Sequence, residues 1–430
     1  PEGARVWDCT DLTIHAGFIE THVSVEAGKP DAAAQGGYWQ TDLVVPQRSA
    51  LDGTRLDSGT AKDLRSIGFT AAAIAPEDGI FRGTAAIVAL GSGASDLESA
   101  SAEVLDGHSY QALSFSTAGW GSDGALRYPT SEMGAIALVR QAFLEADRYE
   151  QCLAVDAAAP KGHEPVQPNA ALQAIADSGS VAPLFFVSRS ELQTLRAGKL
   201  AAELGRSMMV KGTGTEFRRL GAVASLGLPM VIPVSYPDAP DVSTPEKAAG
   251  QSLRDLMAWE EAPTNARRLV DAGVTIALTS EGLEKRSSFP AAVRTTIERG
   301  LDPEDALRAL TTTPAALLGI DDRLGRVAPG MLAHLVVREG EPFAKKSKVR
   351  DVWVAGKRFP INKPTPPSLD GAYAFEIPSL GSLDGVSGEL MVRDRKTLEF
   401  VVAGRTIEAK KVNFGPFHVH FHLMGSDVEE

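Results

Sequence analysis

Leu12-Thr-Ile-His-Ala-Gly-Phe-Ile-Glu-Thr-His-Val-Ser24 is the stretch on which the fold of this chain turns. From Gly17 to Val25 it is a short, mostly apolar run entered through a glycine, the texture of a strand buried on both faces. Further runs of the same kind follow at Phe69–Ala75, Thr84–Leu90, Pro183–Val187, Ser207–Val210, Pro229–Val234 and Val274–Leu278. Each is rich in Val, Ile, Phe or Ala and bounded by Gly, Pro or polar residues, so each is expected to be a buried parallel strand.

Helical patterns lie between these runs. In Met133–Tyr149, the side chains of Ile136, Val139, Phe143 and Ala146 share one face. Ser188-Arg-Ser-Glu191 predicts a capping box with Ser188 as N-cap, and Gly205 is the stop. Asp302-Pro303 predicts a helix start, and Thr313-Pro314 a second one built the same way. Alternation of this kind over about 300 residues predicts an α/β fold, either a (β/α)8 barrel or a doubly wound sheet.

The texture changes after Ile320. Leu335–Val337 reads as a strand, and Val349–Val354 with Lys357–Phe359 reads as a hairpin around Ala355-Gly356. Beyond the Pro-rich stretch 360–367, an antiparallel meander is expected at Tyr373–Ile377, Gly388–Val392, Thr397–Val402, Thr406–Val412 and His418–Leu423. At the other end, Pro1 to Thr13 reads as turn plus strand, the tail of a β unit whose earlier strands are expected to precede it.

Composition narrows the function classes. Of 430 residues, 43% are hydrophobic and 23% charged, the balance of an ordinary globular chain. The net charge of −12 argues against nucleic acid as the partner. No apolar run approaches the roughly 18 residues of a membrane span, so membrane insertion is not expected. Cys9 and Cys152 cannot make a disulfide framework, and neither sits in a metal-type cysteine pair.

Several motifs, taken in order, resemble the amidohydrolase superfamily, in its imidazolonepropionase-like branch. They are Leu12 to His22, Asp305-Ala-Leu-Arg-Ala-Leu-Thr-Thr-Thr-Pro-Ala315, Asp322-Arg-Leu-Gly-Arg-Val-Ala-Pro-Gly330 and Asp351-Val-Trp-Val-Ala-Gly-Lys-Arg358. The resemblance implies a TIM-type (β/α)8 barrel over 16–320, a composite β-sandwich from 1–15 plus 321–360, and an appended antiparallel β module over 368–430. Gly79-Ile-Phe-Arg-Gly83, Trp259-Glu-Glu-Ala-Pro-Thr-Asn265 and Phe289 are similar, more narrowly, to the degenerate first half of a tandem two-amidohydrolase polypeptide. On that resemblance the expected partner is a second amidohydrolase-like half, in the same polypeptide or a neighbouring chain. Export or a periplasmic location is suggested by the resemblance alone.

The resemblance also implies a divalent metal, such as zinc, that makes hydroxide from water at the strand ends. In the family the first strand supplies His-x-His, since residues two apart share a strand face. Here that position reads His22-Val23-Ser24, so His22 is the surviving ligand candidate or, more plainly, a hydrogen-bonded strand-end histidine. Ser188 follows the strand ending at Val187, and Lys211-Gly-Thr-Gly-Thr-Glu216 follows Val210, both without histidine. Thr279-Ser280-Glu281 closes the last strand with Glu281 or Ser280 where the family has aspartate, and Glu281 is a candidate general base or, more plainly, a capped or salt-bridged carboxylate. Lys211 and Glu216 are candidate substrate-binding residues, with ordinary loop charges as the plain alternative. His418, His420 and His422 share one face of a strand, about 7 Å between neighbours, and form a second metal candidate or simply the polar face of the meander.

Too few histidines reach the strand ends for a complete cluster, so the expectation is no bound cofactor, or zinc or another divalent ion if the site works. The leading expectation is a non-catalytic structural or regulatory half of a larger amidohydrolase. The alternatives are a C–N hydrolase, acting on cyclic amides or peptide-like bonds through His22, Lys211 and Glu281, and a small-molecule or glycan binding module.

Overall fold

The computed structural model describes residues 6–26, 28, 41–52, 56–91, 104–119, 127–158, 162, 164–178, 182–363, 370–377, 385–393, 397–402, 404–414 and 419–422. The chain divides into two compact units, Pro1–Asn362 and Lys363–Glu430. Among the described residues, no helix is long and apolar enough to cross a membrane.

The first unit carries strands β1 (Leu12–Ala16), β2 (Phe18–Val25), β3 (Phe69–Pro76), β4 (Phe81–Thr84), β5 (Ala86–Ala89), β6 (Val104–Asp106) and β7 (Gln111–Leu113). It continues with β8 (Leu184–Val187), β9 (Met208–Lys211), β10 (Met230–Pro233), β11 (Ile276–Thr279), β12 (Leu335–Glu339), β13 (Lys348–Val354) and β14 (Lys357–Pro360). One sheet has the order β11-β10-β9-β8-β7-β4, and another β2-β3-β5-β6. The neighbours β7 through β11 and the pair β2–β3 are parallel, as the sequence predicts. The strand expected at Thr84–Leu90 is instead antiparallel to β3, and β4 is antiparallel to β7, so both sheets are mixed. The short stretch between β3 and β5 leaves no room for the helical crossover that parallel pairing requires.

Alternate residues of the strands feed two separate cores. Ala72 and Ile74 of β3 face one that includes Leu138, Val139 and Phe143 of the helix Glu132–Ala158. Ala71, Ala73 and Ala75 face the other, shared by Ile19, Tyr110, Ala112, Phe185, Met209, Val231 and Ala277 from both sheets. Burial on both faces is why these strands read as unbroken apolar runs. Where β11 approaches β2, the segment at Ala309–Leu310 serves both: Leu278 N–H donates to the Ala309 carbonyl, and Ile19 N–H to that of Leu310.

A third sheet, β1-β12-β13-β14, joins the N-terminal strand to the residues that follow the α/β region. Leu12 pairs with Glu339 and Ala16 with Leu335, antiparallel. The hairpin β13–β14 closes with Val354 opposite Lys357, and Ala355 and Gly356 have φ of 48° and 80°, the two-residue turn the sequence predicts.

Two helix starts differ from expectation. The helix Glu191–Leu204 is capped by Ser190, whose Oγ accepts from Gln193 N–H, while Gln193 Oε1 accepts from Arg189 N–H. Ser188 instead donates to the Ser190 carbonyl. Two overlapping Ser-x-x-Glu/Gln patterns compete here, and the one whose glutamine reaches back prevails. Pro314 lies within the helix Thr312–Leu317, whose N-cap residue is Thr311, so Thr313 does not begin it. Asp302 caps the helix Pro303–Arg308 as predicted, accepting from Glu304 N–H.

In the second unit, Gly371–Ile377, Val386–Arg393, Thr397–Val402 and Arg405–Glu408 form an antiparallel sheet in chain order. The run expected as one strand over Thr406–Val412 breaks at Ala409, and Lys410–Phe414 pairs separately with Val419–His422. Lys411 there has φ of 53°. Val392, Leu398, Phe400 and Ala409 make a small core of their own.

Candidate functional site

The site forms where β9 and β11 end beside the second half of β2, with Tyr110 just ahead of β7. Strand β2 is buried along nearly its whole length and shifts register against β3 between Phe18 and Ile19 and again between Glu20 and Val23. Such irregularities re-aim side chains, and they flank the segment that carries the chemistry. Glu20 is fully buried and reaches to the end of β11. One carboxylate oxygen accepts from Thr279 Oγ1 (2.5 Å); the other accepts from Ser280 N–H (2.8 Å) and Ser280 Oγ (2.6 Å). Burial pushes the Glu20 carboxyl up, and the bonds from Ser280 and Thr279 oppose that rise.

His22 is fully buried, its ring stacked on Phe185 at 4.8 Å and its Nδ1 2.8 Å from the Tyr110 hydroxyl. Its Nε2 is 3.3 Å from Ser24 Oγ, and Ser24 donates to Glu281 Oε1 at 3.0 Å. Lys211 Nζ donates to Glu281 Oε2 at 2.5 Å, and that oxygen is 3.7 Å from His22 Nε2. The Tyr110 hydroxyl also lies 3.3 Å from the Thr21 carbonyl, a second acceptor for its single proton; with Ser24 donating to Glu281, one assignment runs through the shorter contacts. Tyr110 donates to Nδ1, Nε2–H faces Ser24, Ser24 donates to one oxygen of Glu281, and Lys211 donates to the other.

The electrostatics agree with a neutral imidazole. Burial lowers His22 to about 4; Glu281 opposes this, while Lys211 and Arg82 add to it. Burial pushes Glu281 up, but His22 and Lys211, with hydrogen bonds from Lys211 and Ser24, hold its carboxyl below the ordinary value. With His22 uncharged at neutral pH, the Lys211 ammonium carries that effect. Burial also raises the Tyr110 hydroxyl well above the ordinary range, so it stays a neutral donor.

Three of the residues singled out in the sequence, His22, Lys211 and Glu281, thus meet. Glu216 does not join them. It is fully buried, accepting from Thr213 N–H (2.6 Å), Thr213 Oγ1 and Asn265 Nδ2 (2.8 Å), and so ties the loop after β9 to the helix Asn265–Asp271. His420 is exposed on the strand Val419–His422; His418 and the side chain of His422 lie outside the described residues. Phe421 of the same strand is 39% exposed although it contacts Phe400. Sequence reasoning missed Glu20, Tyr110 and Arg82. The signal for Glu20 and Arg82 was a charge directly after a large apolar residue, Ile19 and Phe81, inside or beside a run that reads as buried, since such a charge, once buried, needs a partner.

Residues 214–359 match the family model described as the amidohydrolase family. An imidazolonepropionase from Streptomyces avermitilis is 32% identical over 138 residues, 27% of this chain and 32% of that one. Another from Salinispora tropica is 31% identical over 159 residues, covering 35% and 39%. Over these stretches the chain is similar to the amidohydrolase family and, within it, to imidazolonepropionases. The matched part spans about a third of the length of these relatives (32% and 39%). The structure of an amidohydrolase from Thermotoga maritima superposes with a TM-score of 0.62 at 21% identity, covering 84% of this chain and 90% of that one, which establishes likeness of fold.

Amidohydrolases typically use a divalent metal such as zinc. The donor set here does not fit one. His22 and Glu281 are the only ligand-type side chains in the bonded group described above, whose other members are a serine, a tyrosine and an ammonium. An ammonium has no lone pair to give, and a protein zinc site takes three or four donors. No group of three His, Cys, Asp or Glu able to hold an ion occurs among the described residues.

Proposed function

We propose that this amidohydrolase-like chain is a non-catalytic structural or regulatory half of a larger amidohydrolase, whose second, complete half supplies the chemistry. The observation that carries this reading is the Lys211–Glu281 bond, at 2.5 Å. A fixed ammonium sits on the carboxylate that a hydrolase would use as base, and a lowered carboxyl is a weak one. Ser24 and His22 complete the same closed set of bonds, so neither a free nucleophile nor a free base remains in it. We also read the two mixed sheets, which share one inner core, as a (β/α)8 barrel, and the sheet β1-β12-β13-β14 as part of a composite sandwich. The experiment is metal analysis of the full chain purified in the presence of zinc, with assays on cyclic amides and dipeptides. The expected result is substoichiometric metal and no turnover. One equivalent of tightly held zinc, with turnover lost in Glu281→Ala, overturns it.

A second reading is hydrolysis of C–N bonds by a reduced site. It is supported by the sequence likeness to imidazolonepropionases and by the convergence of His22, Lys211 and Glu281 at the strand ends. Metal-independent turnover of a cyclic amide that disappears in both Lys211→Met and Glu281→Gln would favour it.

A further inference from the structure

Arg82 is the second residue of β4. The preceding Phe81 packs on Phe143, with 5.5 Å between ring centres, toward the helix Glu132–Ala158. The pairing of β4 with β7 shifts register between Phe81 and Gly83, and Arg82 lies near enough to His22 and Tyr110, on the side of the inner core, for its charge to act on both. There it is only 5% exposed, and its Nε has no hydrogen-bond partner among the described residues. Glu281, Asp78 and Glu77 act on the guanidinium through space alone, and Arg189 repels it.

This is an unusual place for a charge. A guanidinium keeps its proton and offers five N–H donors, and burying it unpaired is costly. The nearby acids do not relieve it. Glu281 is committed to Lys211 and Ser24, and Glu20 to Thr279 and Ser280. Glu77 and Asp78 are exposed to solvent. The Lys211–Glu281 pair cancels and His22 is neutral, so the guanidinium has no direct ion-pair partner among the described residues, and Glu281, Asp78 and Glu77 reach it only through space.

The segment is also held rigidly. Arg48 Nε donates to the Arg82 carbonyl at 2.8 Å and Arg48 Nη2 to the Asp78 carbonyl at 2.5 Å. Gly83 has φ of 122°, and a Cβ there would lie 2.3 Å from the Arg48 carbonyl oxygen. The backbone on either side of Arg82 is therefore fixed before any ligand arrives, which favours binding by a preorganised fork of donors.

We propose that the inner face beside His22 is a binding site for a small oxyanion, a carboxylate or phosphate group, gripped by the Arg82 guanidinium with Arg189 at its rim. The planar fork of an arginine matches two oxygens of either group. The proposal goes beyond the non-catalytic reading and does not depend on it: turnover by this chain would overturn that reading and leave the anion site standing.

The test is calorimetric titration and thermal unfolding of the full chain with sodium acetate and with inorganic phosphate, against chloride at constant ionic strength. The expected result is saturable binding of at least one anion, with the midpoint rising as the logarithm of its concentration. Which anion responds tells carboxylate from phosphate. Arg82→Gln is expected to weaken binding at least tenfold while raising the midpoint of the anion-free protein, because an unpaired buried charge is gone. Arg189→Gln, at an exposed position, is expected to weaken binding several-fold with the fold intact. If Arg82→Gln does not fold, a saturable response of the parent chain that is weaker in Arg189→Gln supports the site. No saturable response of the parent to either anion, or unchanged affinity in a folded Arg82→Gln, overturns it.

Discussion

Glu281 receives Lys211 on one oxygen and Ser24 on the other, with 22% of its side chain exposed and 15% of that of Lys211. Removing one member strands the other, so Glu281→Ala is expected to lower stability by about 2 kcal/mol, as for a partly buried charge left unpaired. Lys211→Met with Glu281→Gln together should cost less than the sum of the two single changes, and a double-mutant cycle from denaturant midpoints measures the difference. Additivity would mean the pair contributes nothing. His15, His22 and His334 are each lowered by burial from 6.5 to about 4. Between those values the unfolded chain binds protons that the folded chain refuses, so their contribution is full above about pH 6.5 and is lost as pH falls toward about 4. Melting temperature is expected to be level near neutral pH and to fall through that window, with a shallower fall in His334→Gln. His22, Lys211 and Glu281 were legible because the resemblance to amidohydrolases points to the strand ends, and each lies in or just after an apolar run. Tyr110 was not, because it precedes a strand of three residues, Gln111–Leu113, too short to show a period.

At the scale of elements, every strand expected in the α/β region exists, with ends moved by a residue or two. The additions are β4, β6 and β7, of three or four residues each, which pairing partners rather than propensity hold in place. Antiparallel pairing of β3 with β5 was not legible, since the apolar pattern of a strand buried on both faces is the same for either direction. Local chemistry was read well where one pattern stood alone, as at Asp302-Pro303, and misplaced by two residues where two patterns overlapped, as at Ser188 and Ser190. In the β13–β14 turn, Ala355 holds φ of 48°, a region that Asn or Gly tolerates better. Ala355→Asn is expected to raise stability by about 0.5 kcal/mol, and an unchanged or lower denaturation midpoint would contradict the turn assignment.

For the whole molecule, the units Pro1–Asn362 and Lys363–Glu430 have separate cores. Residues 1–362 made alone are expected to unfold cooperatively, with a midpoint within a few degrees of the corresponding transition of the full chain; an aggregated or non-cooperative product would show that the first unit needs the second. Periodicity and turn chemistry determined from the sequence alone that this is an α/β region followed by β structure, because both are local properties of neighbouring residues. So did the scarcity of histidine at strand ends. Only tertiary structure decided what replaces them. Lys211 meets Glu281 from 70 residues away, and Glu20 meets Thr279 and Ser280 from 259 and 260. A hydrogen bond is set by positions in space to within a few tenths of an ångström, and no pattern along the chain carries that precision.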